Sequence, residues 1–341
     1  MLDEIVEQPE ALARTIEAER GKIAKLGKFL RARDIELIVL VARGSSDNAA
    51  LFGRYLMEIT TGIPVSLSAP SVHTLYRATL RLRRAVVIGV SQSGEGEDII
   101  QVLENARSSG AYTIGITNEP DSSMVGVVDE TLLMHGGRER SVAATKTFTG
   151  QMMLFHMLAT ELAQTGATPP YENIPAFAAK ALEQKSAITE LVQRYVFMEN
   201  CVIVGRGLAY ANVYELALKL METCYVVAER FSSADFLHGP VAMVERHFPV
   251  ILFAPPGVML PGVKALIDRL AELHADTLAI TGDLDTASVC SRAIIMPKEI
   301  DEFVAPIPYI IPGQLFAALL AEAKGLNPDS PRSLSKVTRT L

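Results

Sequence analysis

Residues 36–58 read ELIVLVARGSSDNAALFGRYLME, and residues 200–222 read NCVIVGRGLAYANVYELALKLME. Each stretch starts as an apolar run of strand character, passes a short glycine-bearing turn, and continues as a helix that closes on Leu-Met-Glu. From Arg43 to Glu58 is 15 positions and from Arg206 to Glu222 is 16, so the copies align with one inserted residue. A repeat of this length, in the order strand, turn, helix, predicts a duplicated αβ unit. The turns differ. The first is Gly44-Ser45-Ser46, rich in hydroxyls, which suits an anion. The second is Gly205-Arg206-Gly207, followed by a helix bearing Glu215, Lys219 and Glu222, which suits proton transfer.

Working outward, residues 8–32 read as a leading helix, with Leu12, Ile16, Ile23, Leu26 and Leu30 at helical spacing. Strands are expected at 36–42, 63–68, 84–91, 111–117 and 130–135, with helices at 47–60, 97–109 and 146–164. A loop at 165–172, carrying Gly166, Pro169 and Pro170, marks a boundary. A helix at 174–196 then leads to strands at 201–205, 248–254 and 276–281, with helices at 210–223, 262–274 and 313–324. Alternation at this spacing predicts an α/β fold of two doubly wound parallel sheets in tandem. The expected divisions are a helical segment at 1–32, a first domain at 33–165, a second at 173–325, and a tail at 326–341.

Composition fits such a fold. Of 341 residues, 49% are hydrophobic and only 6% aromatic, as in aliphatic parallel sheets under Ala/Leu-rich helices. A net charge of −7 without any basic run argues against nucleic acid. Cys201, Cys224 and Cys290 show no CxxC or His pairing and read as reduced core residues of a cytosolic protein. The acidic start MLDEIVEQPE is not a signal peptide. Uncharged stretches at 248–263 and 303–321 contain prolines expected to break them, so neither predicts a membrane helix.

The chemistry-bearing residues fall into three groups. Ser45 and Ser46 precede one helix; Ser91 and Ser93 flank Gln92 before another. At the carboxyl edge of an open α/β sheet, such turns offer backbone N–H groups and hydroxyls to one phosphate. The plainer reading is that each serine caps its helix. Glu215, Lys219 and Glu222 share one helix face, either as a solvated Glu–Lys stripe or, given Leu216, Leu218, Leu220 and Met221 around them, as the wall of a pocket. His238 precedes Gly239-Pro240, on a rigid turn where it either acts in chemistry or bonds to backbone. His73, His135, His156, His247 and His274 have no such context. The GxG of Gly205-Arg206-Gly207 is followed by Tyr210 where a dinucleotide fingerprint needs glycine, so a nicotinamide reading ranks below the phosphate one.

Taken together, GSS at 44–46, SQSGE at 91–95, ATKTF at 144–148, LALKLME at 216–222, LHGP at 237–240 and PRSLSK at 331–336 closely resemble the isomerase half of glucosamine-6-phosphate synthases, a tandem pair of SIS domains. The likeness runs from EIVEQP at 4–9 to Lys336. SQSGE marks the SIS fold generally, whereas LALKLME, HGP and PRxLxK as a set are more specific. The resemblance implies that Ser45, Ser46, Ser91, Gln92 and Ser93 bind a sugar phosphate. It makes Glu222 the base that moves a proton between C1 and C2, and His238 the ring-opening group, supplied by the partner subunit of a homodimer. Lys219 and Glu215 would support the site, and Lys336 would approach the open-chain carbonyl. Further substrate positions are Gly96, Val142, Ala144 and Ser335. Gly96 stands in place of a phosphate-binding threonine and Ala144 in place of a serine, while Val227 and Leu237 replace polar residues beside the site.

The synthases carry an N-terminal glutaminase domain, and this chain begins where their isomerase half begins. The expected activity is therefore that of a stand-alone glucosamine-6-phosphate deaminase, cytoplasmic, acting on a small phosphorylated amino sugar, with no metal, cofactor, nucleic acid or membrane partner. The alternatives are a fructosamine-6-phosphate deglycase, a plain phosphosugar isomerase and, from another class, a non-catalytic phosphosugar sensor.

Overall fold

The computed structural model describes residues 1–163 and 171–336, so most of the loop expected at 165–172 lies outside the described residues. The chain divides into two compact units. One holds Glu10–Glu139, Lys146–Glu172 and, of the described tail, 334–336; the other holds Met1–Pro9, Arg140–Thr145 and Asn173–Ser333.

The first unit is built on strands β1 (Leu37–Val41), β2 (Val65–Leu67), β3 (Ala85–Val90), β4 (Tyr112–Thr117) and β5 (Glu130–Leu133). All neighbours are parallel, in the order β2-β1-β3-β4-β5. β1 and β3 are apolar throughout because both sheet faces are covered: every residue of β3 is buried. Helix Ser45–Thr61 packs against Lys146–Leu162. Gly53 permits the approach, since a Cβ there would lie 2.7 Å from the Phe155 ring.

The second unit repeats the plan with β6 (Asn200–Gly205), β7 (Val227–Ser232), β8 (Pro249–Phe253), β9 (Asp276–Thr281) and β10 (Arg292–Ile295), in the order β10-β9-β8-β6-β7. Read from the other edge, this is the same parallel order. The duplicated stretch is thus a duplicated sheet, and each copy enters at the second strand of the order.

The prolines expected to break 303–321 do not. A helix runs from Pro306 to Ala323, buried from Pro306 through Ala321. Pro306 and Pro308 lie in the first turn, where N–H groups have no intrahelical acceptor to lose; only Pro312 removes an interior bond. A helix apolar on all sides belongs in a core. It packs against helices Ile174–Leu182, Lys185–Val192 and Tyr210–Lys219. Among the described residues, no helix is long and apolar enough to cross a membrane.

Residues 1–9 join this core. Ile5 is fully buried. The buried Gln8 carboxamide donates to Gln314 Oε1 of the long helix at 2.8 Å, and the Glu4 carboxylate accepts from the backbone of Arg140 and Ser141. The three cysteines are free thiols; Cys201 and Cys224 are buried and Cys290 is half-buried. Burial pushes the Cys201 thiol up to about 12.

Candidate active site

Two serine turns leave the carboxyl ends of β1 and β3, which pair directly, Val41 opposite Gly89. In this strand order, β1 and β3 flank the topological switch point, where open α/β sheets bind ligands. The first turn swings through Gly44, at φ 57° and ψ −132°, a conformation open to glycine alone. Gly44 is the cap residue, and the helix already begins at Ser45. The serines are therefore in the first turn, not at the cap. Ser46 is buried, and its Oγ accepts from Gln151 Nε2 at 2.9 Å.

The second turn holds itself in shape. Ser91 Oγ accepts from Gly94 N at 3.1 Å and Ser93 Oγ from Glu95 N at 3.3 Å. Gly94 is left-handed, and a Cβ there would meet Ser122 Oγ at 2.1 Å. The Gln92 carbonyl accepts from Asn118 N, and the Glu95 carboxylate accepts from Ser123 N and Oγ. The helix after this turn is capped by Gly96, again not by a serine. Among the described residues, Ser46, Ser91 and Ser93 act only as acceptors, so each hydroxyl hydrogen is left to donate to an outside oxygen. Arg43, beside the first turn, pairs at 2.7 Å with the buried Asp98 of the second turn's helix, tying the turns together.

Lys336 belongs to this unit. Its Nζ lies 2.8 Å from the buried Glu139 carboxylate, which also accepts from Thr147 N and Oγ1 at the start of helix Lys146–Leu162. A carboxylate there is favoured by the helix's positive end. Ser335 is exposed.

In the other unit, helix Tyr210–Lys219 changes into a π-helical turn over Leu220–Cys224, a widening that recurs at functional sites. Lys219 is fully buried, with Nζ 2.5 Å from Glu222 Oε2 and 3.5 Å from Glu215 Oε1. Glu215 is also fully buried, whereas the Glu222 side chain keeps 22% of its surface. The solvated-stripe reading therefore fails. A lysine held between two carboxylates fixes their positions, and of the two only Glu222 keeps accessible surface. Thr223 Oγ1 donates to the Lys219 carbonyl, and Tyr225 follows in the left-handed conformation. The Tyr225 ring lies 3.7 Å beneath the Arg332 guanidinium, and its hydroxyl accepts from Arg332 N.

His238 ends helix Ser233–Leu237; its backbone N–H donates to the Asp235 carbonyl, and its ring is exposed without a hydrogen bond among the described residues. Val142 and Ala144, both half-buried, lie in the segment Arg140–Thr145 of the same unit. Gln151, Glu139, Thr147 and Tyr225 were not singled out from sequence. The signal for Thr147 and Gln151 was the buried helix that opens within ATKTF, whose polar residues had to face something. A cavity of about 980 Å³, lined by Arg14, Asn118, His135 and Arg138, includes none of the residues singled out from sequence as candidate site residues; it reaches the second serine turn only through Asn118, whose N–H donates to the Gln92 carbonyl.

Two parallel sheets of this order, the first with serine-lined turns at its switch point, define a tandem α/β protein of the doubly wound class. The SIS domain model matches residues 33–161 and 198–321. The chain belongs to the SIS-domain family, with homology to the isomerase half of glutamine–fructose-6-phosphate aminotransferase. The relative from Gloeobacter violaceus is 35% identical over 98% of this chain and 58% of its own length, so the chain spans little more than half of that protein. The C-terminal domain of glucosamine-fructose-6-phosphate aminotransferase from Francisella tularensis is 27% identical, with a TM-score of 0.87 over 97% of this chain and 98% of its own. Glucosamine-6-phosphate deaminase from Thermotoga maritima shares the fold at 21% identity, with a TM-score of 0.80 over 99% of both chains.

Proposed function

We propose that this protein converts glucosamine 6-phosphate and water to fructose 6-phosphate and ammonia. The observation that carries the reading is the buried Lys219 between Glu215 and Glu222, which holds one carboxylate in place and leaves it reachable. Ser45, Ser46, Ser91, Gln92 and Ser93 hold the phosphate, with Gly96 and Ser335 as further contacts. His238 of the partner subunit in a homodimer moves the proton that opens the ring, in keeping with its exposed, unpartnered imidazole. Glu222 takes the C2 proton and returns it to C1, turning the aldose amine into a ketose imine. A single carboxylate in a shielded site can carry one proton between adjacent carbons. Lys336 faces the carbonyl end and Lys219 with Glu215 hold Glu222 in place, while Val142 and Ala144 border the sugar. Water then adds to C2, and ammonia leaves with the C–N electron pair and a proton. The expected setting is the cytoplasm.

A second reading rests on Val227 and Leu237, exposed to 61% and 43%. Apolar surface beside the site suits an amine larger than ammonia, as in a fructosamine 6-phosphate. The test is ammonia release from glucosamine 6-phosphate with no glutamine present, coupled to detection of fructose 6-phosphate. Amine release from a fructosamine phosphate, with none from glucosamine 6-phosphate, moves the assignment to the deglycase. Tight binding of both without turnover leaves a sensor.

A further inference from the structure

On the first unit, away from the serine turns, the chain from helix Pro70–Thr74 to β3 forms one wall of a groove of about 850 Å³. The opposite wall is helix Glu97–Ser108, which contributes Gln101 and Asn105, one helical turn apart on one face. Arg77, Arg81 and Arg83 line the first wall, and no Asp or Glu lines the groove. Among the described residues, none of these three guanidiniums has an acidic partner. The neighbouring arginines do: Arg84 pairs with Asp34 and Glu36, and Arg107 with Asp129. In a chain with 39 acidic and 32 basic residues, three unpaired arginines on one wall are a concentrated local excess of positive charge.

His73 makes the second observation. It lines the same groove, is 3% exposed, and its Nδ1 is buried without a hydrogen-bond partner. Burial also holds its pKa below the ordinary histidine value. A shielded polar atom without a partner is a cost that a ligand or ordered water removes. The wall is fixed rather than slack, since Leu75 and Tyr76 N–H groups donate to the Ser71 carbonyl and Ala78 N–H to Val72. Guanidiniums meet phosphate oxygens in pairs of parallel hydrogen bonds, carboxamides add donors, and the volume is that of a small-molecule site.

We propose that this groove is a second phosphate-binding site that takes a small phosphorylated metabolite. Its guanidinium and carboxamide groups are the donors such a ligand would meet. The test uses inorganic pyrophosphate, titrated calorimetrically into the full chain carrying Ser46→Ala and Ser93→Ala, which removes the turn site from view. Saturable binding is expected to persist there. Adding Arg77→Gln and Arg81→Gln should weaken it by about tenfold or more, the scale of lost charge-assisted hydrogen bonds, with an unchanged melting temperature. Loss of all pyrophosphate binding in the serine variant overturns the proposal. So does unchanged binding in the folded arginine variant. A shift in sedimenting mass of the arginine variant, with pyrophosphate binding intact, assigns the wall to contact between copies of the chain and overturns it as well.

Discussion

The two copies of the strand–turn–helix unit carry their candidate site residues at opposite ends of the helix. In the first, that end is the head, where Gly44 bends the chain and Ser45 and Ser46 occupy the opening turn. In the second it is the tail, where the helix widens into a π turn around Glu222. Aligned on Leu-Met-Glu, the triad Glu215, Lys219, Glu222 corresponds to Leu51, Tyr55, Glu58. Glu58 is spent on structure: Oε1 accepts from Val65 N at 3.0 Å and so holds the start of β2. Its counterpart Glu222 is held by a buried lysine instead. One conserved-looking closing motif therefore serves two ends, and what separates them is whether a buried cation stands a turn earlier.

The comparison can be broken most directly at Glu222. In Glu222→Gln, shape and hydrogen-bonding reach survive but the base is gone, so turnover should fall roughly 10²–10⁴-fold while affinity for sugar phosphate holds. Steady-state assays with parallel calorimetry read both. Turnover within a few-fold of the parent, in folded protein, would sink the proton-transfer role. Next is Lys219→Met. It strips the cation from two carboxylates, one of them fully buried, and should cost about 3–5 kcal/mol of unfolding free energy in urea melts. The matched Tyr55→Met, with no buried charges to abandon, should cost far less.

The head of the first helix is expected to respond in binding more than in folding. Ser46→Ala with Ser93→Ala removes donors worth about 1.5–3 kcal/mol each to a charged acceptor. Sugar-phosphate affinity should drop at least about tenfold on that basis, with a modest fall in melting temperature from the Gln151 donor that Ser46→Ala leaves unpaired. If the melt moves and the affinity does not, the serines are structural. The smallest effect is a pH dependence confined to the second unit. Hydrogen bonds from Lys264 and Thr286 lower the Asp283 pKa to about 2, below its ordinary value. Because the folded value is depressed, this stabilisation is present above the ordinary pKa and is lost as pH falls toward 2. At a partly exposed pair it amounts to less than about 1 kcal/mol, and an Asp283→Asn melt series between neutral and acid pH should show the parent losing its advantage there.

The sequence made the central strands legible because β1, β3, β4, β6, β8 and β9 lie where both faces are covered, which demands runs rich in apolar residues with few charges. It did not reveal β7 and β10. Val227–Ser232 reads Val-Ala-Glu-Arg-Phe-Ser, an edge strand with polar positions exposed, and Arg292–Ile295 is a four-residue edge. The helix at Pro306 was shortened in the reading because prolines were counted without asking which N–H groups were already spare. In the site, the Glu215–Lys219–Glu222 face followed from spacing alone. The π turn after Lys219 did not, because periodicity assumes the helix stays α. Glu139 was hidden in a polar loop, and its roles become visible only when Thr147 and Lys336 are found on the same carboxylate.

The placement of residues 1–9 has a consequence for the order of assembly. Gln8 and Gln314 meet across 306 positions of chain, inside a core that also needs Ile5. Sheets of the first unit can close on their own contacts as they emerge, since domains fold as units from the N-terminal side during synthesis. Residues 1–9 can meet Arg140 and Ser141 earlier, through Glu4, but Gln8 finds Gln314 only when the last long helix is made. The contact then closes the unit made last. A tag or an early substitution at Ile5 would therefore be felt at the far end of the chain, as a late-folding defect in the unit that carries Glu222.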